Sequence, residues 1–317
     1  MADQAHSPVF VVGSYRSGTS IFCWCLGQHP NIVNLPETNW LARLGLDVDN
    51  LYRLGTVNGK YSHLSQAGVS RDDFYRMFGE GVDKLIQALN PELIGRTEQR
   101  VKKDMRRRRS SGDPKRRWAD ATPENSHYIY PLSKLFPQAR FIHLLRDPHD
   151  VARSLMKFSR TSDAARDFGH DEAYRTWTRL THAAWLGERA LGRARMLQVR
   201  YEDFTGRSEQ AFRRVLAFLG ESYAAECLEP LDVKINSSKV ATEAVPVDSS
   251  TEAARDAEQL YREILAAPEN LEQGDHHAYA ELERHFEEKS RTLQSPPVER
   301  IRRSLMARLG ALWRADA

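Results

Sequence analysis

Four consecutive apolar residues, Val9-Phe-Val-Val12, stop at Gly13. A run this short, apolar at every position and closed by glycine, reads as a strand buried on both faces. From about Gly18 to Gln28 the apolar spacing becomes helical, and His29-Pro30 ends it. The pattern repeats further on: Arg140-Phe-Ile-His-Leu-Leu145 predicts a buried strand, Arg146-Asp147-Pro148 a turn, and a helix follows from about His149 to Ser159. A third strand is expected at Met196–Arg200, then Tyr201-Glu-Asp-Phe204 and a helix from about Ser208 to Leu219. Asn31–Leu35 is a shorter strand-like run. Strands separated by helices predict an α/β fold, a parallel sheet with helices on both faces. Ligands of such sheets sit at the carboxyl ends of the strands.

Residues 41–118 read as mostly helical and polar, without a strong strand, and are expected to form a helical insertion over one edge of the sheet. Beyond Ser249 the pattern is helical to the end, broken at Gln273-Gly274 and at Ser295-Pro-Pro297. The expectation is one domain over 1–317, with the insertion at 41–118 and a helical C-terminal extension over 250–317. In that extension Val298, Ile301, Leu305, Leu309 and Leu312 form a stripe opposed by Arg302, Arg303 and Arg314. Such a stripe docks on the protein's own core or on a second subunit, which leaves a homodimer open.

Composition narrows the class. The chain has 317 residues, 41% of them hydrophobic and 28% charged, with a net charge of +3, which excludes wholesale disorder and a histone-like excess of charge. Cys23, Cys25 and Cys227 form no CxxC pair and no disulfide framework, as suits a reducing cytoplasm. No apolar run approaches the ~20 residues of a membrane span, and the first residues do not have the form of a secretory leader. From Arg100 to Arg117, ten Lys/Arg stand against two Asp, a local charge of +8. The segment is either a solvated loop or a surface that steers an anionic acceptor, an anionic membrane or nucleic acid. It has no interleaved aromatic residues for base stacking, so nucleic acid is not an expected partner.

The chemistry begins in Gly13-Ser-Tyr-Arg-Ser-Gly18-Thr19-Ser20, between a predicted strand and a helix. The two glycines have Walker A separation, and backbone N–H groups of such a loop cradle a tetrahedral anion. Thr19 stands where a Walker A loop has lysine, which argues against an ordinary ATPase or GTPase. Arg16 supplies cationic charge inside the loop instead.

This loop, continuing into HPNIV and LPET, resembles the 5′-phosphosulfate loop of sulfotransferases that use 3′-phosphoadenosine 5′-phosphosulfate (PAPS), in the bacterial and tyrosylprotein types with RSGT. A second block, RFIHLLRDPHDVARSL, is similar to that family's 3′-phosphate site, where an Arg and a Ser eight residues later hold the ribose phosphate; Arg146 and Ser154 match the spacing. The likeness covers about residues 8–40 and 118–220. It implies a P-loop-like sulfotransferase fold, with Ser14, Tyr15, Arg16, Ser17, Gly18, Thr19 and Ser20 around the phosphosulfate and Arg146 with Ser154 at the 3′-phosphate. Tyr201, in a YED segment like the family's, is either an adenine contact or a packed interior tyrosine. Asn236, Ser237, Ser238 and Lys239 lie where related chains carry a loop closing over the donor, and read equally as a polar connection.

Sulfuryl transfer needs a base for the acceptor proton, cationic stabilisation of the leaving bridging oxygen and in-line placement, and it requires no metal. Glu37 follows the strand-like run by way of Pro36, 21 residues after Arg16, where the resemblance implies the general base. Its other reading is a loop carboxylate beside a helix capped by Thr38 or Asn39. His63, in Tyr61-Ser-His-Leu64, resembles a catalytic-histidine segment only locally and is second to Glu37. Trp118-Ala-Asp-Ala-Thr-Pro-Glu-Asn125 is similar to a family segment reading EKTP or DKTP, with Ala121 in place of its lysine, and Thr122-Pro123 also starts a helix. The predicted function is therefore sulfuryl transfer from PAPS to a hydroxyl of a small molecule, an amine second, with Glu37 and Arg16 catalytic, adenosine 3′,5′-bisphosphate (PAP) as product and no metal. The alternatives are a P-loop phosphotransferase and a non-catalytic module that binds PAP.

Overall fold

The computed structural model describes residues 7–88, 117–161, 168–232, 247–268 and 272–292. The Asn236–Lys239 loop, residues 100–116 of the basic segment and the 298–314 stripe lie outside the described residues.

Five strands, β1 (Val9–Val12), β2 (Ile32–Asn34), β3 (Arg117–Asp120), β4 (Arg140–Leu145) and β5 (Met196–Arg200), form one sheet in the order β2-β3-β1-β4-β5. Every pairing is parallel, with Val9 opposite both Ala119 and Arg140, and Leu145 opposite Arg200. The chain runs outward from β1 in both directions, so a crevice opens at its carboxyl end, between β3 and β4.

Alternation along β1 feeds two cores. Phe10 and Val12 face a cluster with Trp118, Phe141 and Met196. Helices α2 (Trp40–Gly55), α3 (Arg71–Ala88), α4 (Ile129–Leu135), α6 (His170–Leu191) and α9 (His276–Thr292) cover this side. Val9 and Val11 point the other way, among Phe22, Ile142, Val199 and Phe212, under α1 (Thr19–Gly27) and α7 (Ser208–Leu219). A third cluster, with Leu145, Leu155, Trp177 and Leu260, joins α5 (Pro148–Thr161) and α6 to α8 (Glu252–Ala266). Residues buried on both faces of a strand explain why VFVV carries no polar position.

The three strands expected from the apolar runs are present within a residue or two, and Pro148 opens α5 at a first helical position where its missing N–H costs nothing. β3 is a correction. The 41–118 stretch was expected to hold no strand, yet its last residues begin one that lies next to β1 in the sheet interior. RWAD hides from an apolar-run search because both of its ends are charged. Arg117 does not belong to a solvated basic loop either: it is buried, donates to Leu219 O at 2.7 Å and pairs with Glu221 at 3.1 Å. Asp120, at the other end, is also fully buried.

Helices α2 and α3 meet α9 through ions. Fully buried Asp49 on α2 accepts from Arg71 at 2.6 Å and Arg53 at 2.7 Å, and these arginines reach Glu283 at 2.7 Å and Glu287 at 2.9 Å on α9. Tyr130 adds a hydrogen bond to Glu283 at 2.5 Å. A buried carboxylate with two guanidinium partners is costly to break, so α9 is fixed against α2 and α3. Among the described residues no helix is long and apolar enough to cross a membrane.

Candidate active site

The loop between β1 and α1 is held by its own hydroxyls and by its neighbours. Ser17 N and Oγ both donate to Ser14 O, at 3.2 and 2.6 Å. Ser126 Oγ accepts from Gly13 N at 2.9 Å and donates to Gly13 O at 3.1 Å. Gly18, at φ 97°, caps α1, and a Cβ there would stand 2.5 Å from the ring of Tyr201. Glycine is required twice over, by the backbone conformation and by the tyrosine. Arg16 holds φ 63°, a left-handed backbone conformation rare for a residue with a side chain. Thr19 is buried at the helix start, and Ser20 is exposed on the first turn.

Two guanidinium groups converge here. Arg16 Nε donates to Ser154 Oγ at 3.1 Å, joining the loop to α5. Arg146 Nη1 donates to Arg16 O at 3.1 Å, its Cζ lies 4.2 Å from the centre of the Tyr201 ring, and Trp177 Nε1 donates to Arg146 O at 3.0 Å. Ser154 therefore bonds to Arg16 rather than to Arg146, the partner its sequence spacing suggests. Burial and the neighbouring Arg146 charge lower the Arg16 pKa from the ordinary arginine value. Asp150 is the carboxylate near Arg146, at 3.9 Å. Arg146 Nε and Ser14 Oγ are buried with no hydrogen-bond partner among the described residues. Buried polar atoms are satisfied in the great majority of cases, so two orphans beside clustered cations mark a place built for an anion.

Glu37 lies beyond β2, at the mouth of the same crevice. Leu35 N donates to Ala119 O at 2.9 Å, and Thr38 N to Thr122 Oγ1 at 2.9 Å, so the Pro36-Glu37 turn is tied to β3 on both sides. Asp120 organises it. Its carboxylate accepts four hydrogen bonds, from Thr38 Oγ1 at 2.6 Å, Thr122 N at 2.9 Å, Thr122 Oγ1 at 2.7 Å and Asn125 Nδ2 at 2.9 Å. Glu37 is exposed, and the packing around its carboxyl together with the Asp120 charge raises its pKa above the usual carboxylate value. Asn39 precedes α2 without a side-chain capping bond. Pro123 opens a turn of 3₁₀ helix, Pro123–Tyr128, in which Glu124 accepts a hydrogen bond from the Tyr15 hydroxyl.

The structure thus brings the loop, Arg146, Ser154, Tyr201 and the Asp120 hub to one end of the sheet. His63 stands apart, exposed on the one-turn helix His63–Gln66. His29 is structural: its Nε2 lies 3.0 Å from Ser222 O and its Nδ1 accepts from Asn31 N at 3.1 Å. Sequence reasoning missed Asp120. The signal was there, in an Asp followed at two and five residues by Thr and Asn, the side-chain-to-backbone pattern of an Asx turn.

The sequence model described as "Sulfotransferase family" matches residues 8–225. The chain belongs to the sulfotransferase family. It is similar to protein-tyrosine sulfotransferase 2 of Gallus gallus, 24% identical over 218 residues, which cover 68% of this chain and 52% of that one. The omega-hydroxy-beta-dihydromenaquinone-9 sulfotransferase Stf3 of Mycobacterium bovis is 30% identical over 105 residues, 31% of this chain and 27% of its own. The chain thus spans about half, or less, of the length of these curated relatives. Among solved structures, the sulfotransferase domain of the Synechococcus PCC 7002 olefin synthase aligns at a TM-score of 0.47 and 21% identity, over 82% of this sulfotransferase and 95% of that domain.

Proposed function

We propose that this member of the sulfotransferase family moves a sulfuryl group from PAPS to a hydroxyl of a small molecule. One observation carries the reading: Arg16 and Arg146 meet at the carboxyl ends of β1 and β4, with Ser14 Oγ and Arg146 Nε buried and unbonded beside them. These residues fit a donor with two anionic groups. The amides of residues 14–20, Arg16 and Ser14 Oγ would hold the phosphosulfate, Arg146 and Ser154 the 3′-phosphate, and Tyr201, already against Gly18 and Arg146, would flank the adenosine. When bound, PAPS supplies an activated sulfuryl group on a good leaving group.

The chain's own residues do the rest. Arg16, half-buried and fixed by Ser154, stabilises the negative charge that grows on the bridging oxygen. Glu37 takes the acceptor proton, and its raised pKa makes it a stronger base than a free carboxylate. Asp120 holds the Glu37 turn at both ends of the Thr38–Thr122 bridge.

Calorimetry with PAP and with adenosine 5′-phosphate, its 3′-dephospho analogue, tests the donor assignment. PAP should bind tighter by about a hundredfold, the worth of a charge-assisted contact to a dianion. Equal affinities would overturn it.

A further inference from the structure

The 3₁₀ turn Pro123–Tyr128 carries more than its link to the loop. Its start, Glu124, touches Tyr15, and its end, Tyr128, lies under the Lys289 ammonium, 4.6 Å from the ring centre. Lys289 comes from α9, 161 residues further along the chain. It is half-buried and makes no ion pair among the described residues. Glu124 does not neutralise it at contact distance: one of its carboxylate oxygens takes the Tyr15 hydroxyl and the other is buried without a hydrogen bond. Arg179, on α6, stands near, engaged with Glu172 at 2.9 Å and Thr176 at 3.2 Å.

The local field is positive. Burial, then Lys289 and Arg179, push the His127 pKa down to about 4, so that imidazole is neutral at pH 7 and free to donate one hydrogen bond. Burial and Arg179 also lower the Lys289 pKa, although Glu124 opposes them. A third cation, Arg43, acts on Tyr128 from α2, paired with Asp47 at 3.1 Å on its outer side. Trp40, three residues before Arg43 and thus on the same helical face, is 45% exposed and immediately follows the Glu37 turn. Helices α2, α6 and α9 therefore bring three basic side chains around Tyr128, and α2 begins directly after the turn that carries the proposed base.

An ammonium left half-dehydrated with no carboxylate in contact is unfavourable unless a ligand supplies one. We propose that Lys289, supported by Arg179 and resting on Tyr128, binds a carboxylate or similar acidic group on the acceptor, so that the substrate is a hydroxyl compound with an acid at its far end. This inference rests on the sulfotransfer reading and names the substrate class of the same site.

The test is binding of 3-(4-hydroxyphenyl)propionate and of its primary amide to the PAP-saturated protein, by calorimetry. The acid should bind about tenfold tighter than the amide, the worth of one charge-assisted contact at a partly exposed site. In Lys289→Met the preference should fall to within about twofold, with Arg179→Gln in between. Melting temperature and PAP affinity should stay at wild-type values in Lys289→Met, because Lys289 makes no ion pair among the described residues that its removal would break; Arg179→Gln loses the Glu172 pair and should keep PAP affinity alone. Equal binding of acid and amide, no binding of either, or a preference that survives Lys289→Met would overturn the acidic-acceptor inference and leave the donor reading standing. Failure of PAP itself to bind would overturn both.

Discussion

The two halves of the crevice are made in different ways. On the β1–β4 side, contiguous stretches do the work of assembly: Gly13–Gly18 is a single turn of chain, and Arg146 and Ser154 sit on one strand end and the helix that follows it. Backbone amides, a positive-φ arginine and an Arg146 guanidinium stacked on Tyr201 leave that side electropositive, with buried polar atoms unspent. On the β2–β3 side the working parts are side chains from distant segments, fastened by the buried carboxylate of Asp120 and by the ion-paired helices α2, α3 and α9. A cradle for phosphate needs N–H groups that every residue has, so a short motif suffices. Recognition of an acceptor needs particular side chains at particular places, which only the folded chain brings together.

That contrast is most exposed at Glu37. If it takes the acceptor proton, Glu37→Gln keeps the shape and removes the base, and kcat should fall by about 10² to 10⁴ while PAP affinity stays within twofold. Its carboxyl makes no hydrogen bond or ion pair among the described residues, so the melting temperature should not move. Turnover within a few fold of wild type would eliminate it as the base and bring His63 forward.

Arg146→Ala strikes the opposite side. Removing a guanidinium that meets a dianion should cost about 2 to 4 kcal/mol in PAP binding and abolish the preference over adenosine 5′-phosphate. Acceptor binding to the variant at saturating PAP should be unchanged. Equal losses for the two nucleotides would move the 3′-phosphate away from Arg146. Ser14→Ala makes a subtler probe, since its hydroxyl is buried and unbonded. Deleting an unsatisfied buried group does not destabilise, so thermal stability should hold or rise. PAP affinity should nevertheless fall by about 1 to 2 kcal/mol, the worth of a hydrogen bond to a charged ligand. A drop in stability without a drop in affinity would assign Ser14 to the loop's own scaffold.

The same division decides what could be read from the sequence. Strands β1, β4 and β5 were legible because each is an apolar run with a glycine, charged or proline-bearing stop, and the RSGTS and RDP blocks because their residues are neighbours in the chain. β3 was not. Arg117 and Asp120 look like solvent-facing charges until Glu221 and Leu219 O are found against one, and Thr38, Thr122 and Asn125 against the other. Burying them inside a parallel sheet is possible because every charge there has partners, and those partners lie up to a hundred residues away. Lys289 was illegible for a similar reason: nothing in the α9 sequence says that its ammonium faces Tyr128, since the Asp49 ion network sets how α9 docks.

Asp120→Asn gives the smallest effect and tests how the acceptor side is tuned. Asp120 is one cause of the raised Glu37 pKa, through like-charge repulsion, second to burial. The ionised form of Glu37 is the active base, so kcat/KM is lost as pH falls through that raised pKa and is full above it. Removing the negative charge at 120 makes the Glu37 carboxylate easier to form, and the acid limb of the pH profile should move to lower pH. An asparagine still accepts through its oxygen but places an N–H₂ against Thr38 or Asn125, so stability should fall by about 1 to 3 kcal/mol. Thr38→Val separates the two effects: it breaks the Thr38–Asp120 bond while keeping the charge, and so should lower stability and leave the acid limb in place. An acid limb that shifts in Thr38→Val as much as in Asp120→Asn would show that the position of Glu37, and not the Asp120 charge, sets its basicity.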